Sequence, residues 1–399
     1  MKLDKKLTII ITAFNASNFI GECLKSVCNQ YNSKIEIIII NDGSTDSTHQ
    51  IITDYKKRFN FIKYINNKKN KGIGKTRNEG INLARGEYIF FIDSDDAIRK
   101  NAIKVYLKNI FKFSETEIFL LNFTTDSKYK ILFKKKNTKS FEPSHLTTWQ
   151  YLFKKSFLEL NNLHFLNSRT HEDMLLITKC ILLSKKTRLI KFPFYIWRKV
   201  NSNSLGRKLG LKSIKPLTQS IISLNKIIKN EKFEKFKLNF AKKVITYFTN
   251  IIFESVLILD KKKIIKLKGH FDKIGIYKKA NILADKKKRF FNNILQKVNK
   301  SNVIIFCASR FSSIIISNLL NLKCNIKFVV DSHKKYKGQK LNGINIVDLK
   351  YLKFYTKNFK NFKVLVCNPL VSALNEIKKD LAKMNINNNN IFYLKKINF

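Results

Sequence analysis

The sequence predicts an α/β protein with a mostly parallel sheet, a helical middle segment and a second, smaller α/β domain. Three observations carry that prediction. Apolar, β-branched runs alternate with helical spacings through the first hundred residues, the pattern of strands covered on both faces. Residues from about 211 to 300 are Lys-rich, helical in period and poor in turn signals. The alternation resumes near Asn302. A chain of 399 residues is long enough for two or three domains. The expected division is residues 1–210, 211–300 and 301–399.

Taken in order, Leu7 to Thr12 is a short strand followed by Ala13-Phe14-Asn15, and Ile20 to Val27 has helical spacing. Ile35 to Ile40 is a second strand, ending at Asn41-Asp42-Gly43-Ser44. A helix follows, with Asp46 expected to cap it. Phe61 to Ile65 is a third strand, Gly74 to Ala84 a helix, and Tyr88 to Ile92 a fourth strand ending at Asp93. Further on, Trp149 to Leu160 and Glu172 to Leu183 read as helices and Phe192 to Trp197 as extended chain. In the last hundred residues Val303 to Phe306, Ile326 to Val330, Val364 to Cys367 and Ile391 to Leu394 read as strands. Ligands of parallel sheets sit beyond the carboxyl ends of the strands. The polar clusters Phe14-Asn15, Asp42 and Asp93 to Asp96 all fall there.

Charge is the outlier in composition: 78 Lys and Arg against 28 Asp and Glu give a net charge of +50. Such a field attracts anionic lipid, nucleic acid and phosphorylated substrates. Chain-wide drift towards Lys, Asn, Ile and Phe accounts for it equally well. The basic residues are spread along the whole chain, not gathered with aromatic readout elements, so no nucleic-acid partner is predicted. The basic stretch from Lys212 to Lys300 suits an anionic membrane surface, where each Lys or Arg contributes about 1 kcal/mol. None of the six Cys forms a C-x-x-C pair, so reduced thiols and not a zinc site are expected. Met1 to Lys6 leads into a short apolar run instead of a signal-peptide core. No stretch has the 18 or so apolar residues of a membrane-spanning helix. A cytoplasmic protein is expected, or one peripheral at the inner face of the cell membrane.

Asp93, Asp95 and Asp96 lie within four residues at a strand end. Carboxylates so close repel unless a cation or bound donors compensate. A hard cation such as Mg²⁺ takes one or two of them and completes its shell with substrate phosphates; an acidic turn that caps the next helix would look the same. Asp42 suits a nucleobase N–H or a ribose hydroxyl, and Arg77 suits a phosphate or one of the clustered carboxylates. Gly74-Lys75-Thr76 looks like the end of a P-loop, but that motif needs glycine where Lys69 stands.

Taken together, these segments resemble family 2 glycosyltransferases of the GT-A fold. The resemblance rests on Thr8 to Asn15, Ile39 to Asp46, Asn70-Lys71-Gly72, Arg77 to Ile81 and Gly86 to Asp96, which match in order and spacing. It is strong over residues 7 to 110 and weaker to about 205. It implies a nucleotide-diphospho-sugar transferase domain in which Thr12, Ala13, Phe14, Asn15, Asp42, Arg77, Asp93 and Ser94 bind the nucleotide-sugar. Asp95 would hold Mg²⁺ or Mn²⁺, with Asp96 behind it. Thr12 stands where the family often has Pro, a mild change. The resemblance also implies a catalytic Glu-Asp pair at a helix start. Glu172-Asp173 fits, with Asp173 as general base; favourable charge at a helix N-terminus is the plainer reading of the same pair. Tyr195-Ile196-Trp197-Arg198 and Asn203-Ser204 resemble a segment that closes over the donor, with Arg198 reaching the diphosphate. Trp149 resembles an acceptor-side aromatic, although core packing explains it equally well.

Val303 to Ser312 resembles the opening of a Rossmann-like domain of sugar-modifying enzymes, with Asp331 where a ribose-binding acid lies and Lys337-Gly338 in a following turn. The three fingerprint glycines are replaced by Cys307, Ser309 and Ser312, whose side chains crowd a pyrophosphate. The fold is therefore expected without dinucleotide binding, leaving assembly or acceptor recognition as its use.

The activity that follows is an inverting, metal-dependent transfer from a UDP-sugar or related donor. The acceptor is a hydroxyl of a glycan or lipid-linked saccharide in bacterial surface polysaccharide synthesis. The alternatives are a nucleotidyltransferase, for which no nucleotide-activating basic loop precedes Asp42, and a non-catalytic nucleic-acid- or glycan-binding protein.

Overall fold

The computed structural model describes residues 5–125, 146–168, 170–198, 211–298, 301–306, 310–331, 338–359, 361–367, 371–384 and 386–394. The chain divides into two compact units, Met1–Asn201 with Lys215–Thr249, and Ser202–Ile214 with Asn250–Phe399.

The first unit opens with β1 (Leu7–Ala13), α1 (Ile20–Cys28), β2 (Ile35–Asn41), α2 (Thr48–Arg58), β3 (Ile62–Asn66), α3 (Ile73–Leu83) and β4 (Tyr88–Asp93). β1, β2 and β4 have no polar face and bury nearly every side chain, as a sheet flanked by helices requires, while β3 at the sheet edge is mostly half-buried. A short β5 (Ala97–Ile98), α4 (Ala102–Lys112) and β6 (Ile118–Thr125) come next. They are followed by β7 (Tyr151–Lys154), α5 (Lys155–Leu160), α6 (Glu172–Leu183) and β8 (Thr187–Trp197). The sheet order is β3-β2-β1-β4-β7-β6-β8-β5. β7 runs antiparallel to both β4 and β6, and β8 runs parallel to β6. β1 to β4, β6 and β8 therefore point one way, and their carboxyl ends share one edge.

The segment Trp149 to Leu160, expected to be helical, is a strand followed by a short helix. β7 is wedged between two neighbours and buried on both faces at Tyr151, Leu152 and Phe153, so its apolar run carries no alternation to separate it from a buried helix. Asp46 does not occupy the cap of α2, where Ser47 stands. Its carboxylate instead accepts from the amides of Thr48 at 3.0 Å and Ser17 at 3.1 Å, tying the α1 entry loop to that of α2.

The division between the units falls within α7 (Leu211–Asn230) and α8 (Lys235–Val256). The second unit continues with α9 (Lys261–Lys266), α10 (Lys268–Asp272) and α11 (Tyr277–Val298). Next come β9 (Asn302–Phe306), α12 (Arg310–Asn321), β10 (Ile326–Val330), β11 (Lys340–Leu341) and β12 (Ile344–Val347). The unit closes with α13 (Leu349–Asn358), β13 (Phe362–Val366), α14 (Val371–Ala382) and β14 (Ile391–Tyr393). Its sheet has the order β11-β12-β10-β9-β13-β14, parallel except for β11. Val303 and Ile305 pack into one apolar cluster and Ile304 and Phe306 into another, so both faces of the sheet are covered. Of the fingerprint positions, Ser312 is buried, while Cys307 and Ser309 lie outside the described residues, as do Lys337, Asn203 and Ser204. The described cysteines, Cys23, Cys28, Cys180, Cys324 and Cys367, are free thiols. No described helix is long and apolar enough to cross a membrane.

Candidate active site

Register sets the site. Thr12 lies beside Asp93 across β1 and β4, and Ala13 beside Asn41 across β1 and β2. The tails of the three strands therefore leave the sheet together. Asn15, in the left-handed conformation at φ 48°, turns its carboxamide onto the amide of Thr45 at 2.8 Å, while its own amide donates to Ser44 Oγ at 2.9 Å. The amide of Asp42 donates to Ala13 O at 2.8 Å. Phe14, between these anchored residues, is half exposed (49%).

Asp42 is buried. Its two oxygens accept from the amides of Lys71 and Gly72 at 2.9 Å each, with Asn67 Nδ2 at 3.4 Å. This bonding holds the loop after β3 against the end of β2. Gly43 allows the approach: its φ is 70° and an added Cβ would stand 2.6 Å from Asn70 N. Gly74, at the start of α3, is a packing glycine, since a Cβ there would meet Leu166 O at 2.0 Å.

Arg77 joins the acidic ends of two distant segments. Nη2 lies 2.7 Å from Asp93 Oδ1 and Nη1 lies 2.6 Å from Glu172 Oε1. Its guanidinium also stacks 5.4 Å from the centre of the Phe165 ring, and Asn78, the next residue, fixes Phe165 through its N–H and C=O at 2.8 and 2.9 Å. Burial opposes the charge of Arg77, but Asp93 and Glu172 raise its pKa above the ordinary value, so it stays a cation. Glu172 is buried, and burial lifts its pKa despite Arg77. Asp173 is partly buried; burial and the Glu172 charge push its pKa up to about 8. One guanidinium thus serves three carboxyl groups, and at neutral pH Asp173 carries the proton. Both acids begin α6, where the helix dipole favours negative charge. His171, just before them, has φ 56°, a strained setting for a residue other than glycine.

The carboxylate oxygens of Asp93, Asp95 and Asp96 come within 4.8 Å of one another. They are not equivalent. Asp96 is buried and accepts from Tyr195 Oη at 2.6 Å and from the Arg198 amide at 2.7 Å. Burial, with Asp93 and Asp95 nearby, raises its pKa well above the carboxylate range. Asp93 and Asp95, with Ser94 between them, are only partly buried. An all-oxygen donor set with two accessible carboxylates fits a hard divalent cation such as Mg²⁺ or Mn²⁺. Asp96 serves better as their support than as a ligand.

Tyr195 also accepts from the Asp93 amide at 3.2 Å and stacks on Trp149 at 4.4 Å and 6°. Trp149 is 3% exposed and belongs to the core. The Arg198 side chain forms an ion pair with Glu22 of α1. The structure therefore brings Thr12, Ala13, Asp93, Ser94, Asp95, Arg77, Glu172 and Asp173 to one edge. Phe14, Asn15 and Asp42 flank them, and Arg198 meets the acidic turn through its backbone. Sequence reasoning missed Glu22 and Phe165; nothing in their spacing marks them.

An acidic turn at the carboxyl edge of such a sheet, with a buried arginine tying it to a helix that starts in two acids, fits the GT-A fold. Residues 8–165 match the family model "Glycosyl transferase family 2". Residues 299–392 match "C2185-like, N-terminal". Among relatives, "Glycosyltransferase GlyA" of Streptococcus pneumoniae serotype 4 is 30% identical over 230 residues, 52% of this chain and 32% of that protein. "Poly(ribitol-phosphate) beta-glucosyltransferase" of Bacillus spizizenii is 43% identical over 101 residues, 25% of this chain and 16% of that protein. This chain thus spans a minor part of each. The crystal structure of S. aureus TarS 1-349 in complex with UDP-GlcNAc aligns with a TM-score of 0.57 at 18% identity. It covers 72% of this chain and 92% of that one, a likeness of fold.

Proposed function

We propose that the protein is an inverting, metal-dependent glycosyltransferase that moves a sugar from a nucleotide-diphosphate donor, a UDP-sugar first among candidates. The acceptor is a hydroxyl of a glycan or lipid-linked saccharide in bacterial surface polysaccharide synthesis. The observation that carries this reading is the Arg77 bridge between Asp93 and Glu172. It sets the acidic turn and the Glu172-Asp173 helix start on one site, as a reaction with a diphosphate leaving group and a base requires.

In this reading Thr12, Ala13, Phe14, Asn15 and Asp42 border the nucleoside, and Asp93 and Ser94 face the ribose and diphosphate. Asp95, with Asp93 beside it, would hold Mg²⁺ or Mn²⁺, which when bound offsets charge on the departing diphosphate. Asp173 in its ionised form takes the proton from the acceptor hydroxyl. The new C–O bond forms on the face opposite the diphosphate as the old bond breaks, which inverts the anomeric centre. Glu172 keeps Arg77 in place, and Arg198 lies near the closing segment. The second unit is assigned to acceptor recognition or assembly.

A panel of nucleotide-sugars with added Mg²⁺ or Mn²⁺, scored by nucleoside diphosphate release, tests the reading. Release from one donor, lost on chelation, is the expected result. Release of pyrophosphate, or no release from any donor, sinks it.

A further inference from the structure

The helices α9, α10 and α11 form a strongly cationic layer of the second unit. From Asp260 to Val298 the sequence holds thirteen Lys and Arg against three Asp, about twice the net positive charge per residue of the whole chain. The inner side of this layer is apolar: Ile264, Leu267, Phe271, Leu283 and Ala284 are buried. Lys261 Nζ meets Asp285 Oδ1 at 3.1 Å, and Lys287 Nζ donates to Leu259 O at 2.6 Å, which locks α11 against α9.

The outer side carries two apolar residues among its charges. Ile265 is 52% exposed and Ile282 is 47% exposed. Each lies one helical turn from its own end of the Lys261–Asp285 pair, so each shares a stripe with it. The pair joins the two stripes, and both isoleucines therefore belong to one outward surface. Lys278, Ile282, Lys286 and Arg289 continue the stripe on α11, and Lys262 and Lys266 stand one turn apart on α9. Those four lysines and Arg289 are exposed, and no ion pair or hydrogen bond ties them to another described residue.

We propose that this face docks on an anionic lipid bilayer, with the lysines at the headgroups and Ile265 and Ile282 dipping between them. Charge complementarity sets the partner as an anionic surface, and the chemistry of the patch selects lipid over nucleic acid. A bilayer accepts branched aliphatic side chains at its interface, whereas a phosphodiester backbone has no place for them. Twelve of the thirteen cations are Lys, the point-charge donor that a diffuse headgroup layer accepts; bidentate reading of phosphates and bases favours Arg. The inference is independent of the reading of the active site.

Sedimentation of the full chain with phosphatidylglycerol-rich vesicles and with pure phosphatidylcholine vesicles tests it. Binding is expected only to the anionic vesicles and should weaken as salt is added. The combined Lys262→Gln, Lys266→Gln, Lys278→Gln and Lys286→Gln variant should lose on the order of 1000-fold in partitioning. The Ile265→Ser, Ile282→Ser pair should lose on the order of 10-fold and leave the salt dependence intact. All six positions are exposed, so unchanged thermal melts accompany both losses, and nucleoside diphosphate release stays at its starting level. Equal partitioning to neutral vesicles, unchanged binding in both variants, or tighter binding to a mixed-sequence RNA than to anionic vesicles overturns the proposal.

Discussion

The guanidinium of Arg77 lies 2.6 Å from the Glu172 carboxylate, 95 positions further along the chain, and both side chains are buried. Through that contact α6 is tied to α3, and through the second arm of Arg77 to the end of β4. Its removal has consequences for stability and chemistry that can be separated.

Arg77→Met leaves Glu172 buried without its counter-charge. Breaking one side of a buried pair costs about 3–5 kcal/mol, and chemical denaturation should show a loss in that range. Glu172→Gln keeps the shape and one acceptor, and should cost less than Arg77→Met. Donor turnover should fall in both: Arg77→Met removes the tether of Asp93, and Glu172→Gln weakens the hold on the arginine that supplies it.

Asp173→Asn should reduce nucleoside diphosphate release to acceptor by about 10²–10⁴-fold, the usual contribution of a positioned base, with little effect on donor affinity. If sugar transfer persists at the starting rate, the base lies elsewhere.

The same residue sets a pH dependence. Asp173 holds its proton up to about pH 8 and can accept another only once that proton has gone. Transfer should therefore rise with pH through about 8 and level off above it. Profiles of kcat/KM across neutral and alkaline pH check this; a profile flat from pH 6 upward contradicts it.

Stability should move the other way. An unfolded Asp titrates near 3.9, whereas folded Asp173 titrates near 8. The folded state is thus favoured while both forms hold the proton, and loses ground between about pH 4 and pH 8. Asp173→Asn removes that loss. It should raise unfolding free energy on the order of 5 kcal/mol at pH 8 and change little at pH 4, as read by denaturant melts at the two pH values.

Tyr195→Phe removes the donor to Asp96 and the acceptor for the Asp93 amide without emptying the stack on Trp149. Leaving such buried groups unpaired costs about 1–3 kcal/mol each. Thermal melts should fall accordingly, and the Mn²⁺ concentration giving half-maximal activity should rise as the acidic turn loosens.

Most of this architecture can be read from residue order. The strands β1, β2 and β4 and the helix α6 stand where apolar runs and a charged helix start predict them, because each is long and of one clear period. β7 was not legible, since a strand inside the sheet and buried on both faces shows the same unbroken apolar run as a helix. The acidic turn and the Glu172-Asp173 pair are local and visible. What they touch is not: the Arg198 side chain, expected at the diphosphate, pairs with Glu22 from 176 positions away. Trp149 offers no signal to separate an acceptor platform from the core aromatic it is. Such contacts depend on which strands become neighbours, and that is decided by the sheet order.

Asp42 grips the loop after β3 through the peptide groups of Lys71 and Gly72, not through their side chains. The Lys71 side chain pairs with Glu79 at 3.0 Å, but those of Lys68 and Lys69 are released from any duty to Asp42. Related enzymes can exchange them freely and present a different rim to an incoming molecule while the underlying frame stays unaltered. Variation between relatives at this rim should accordingly track what each enzyme accepts, whereas Asp42 and Gly72 should stay fixed whatever is accepted.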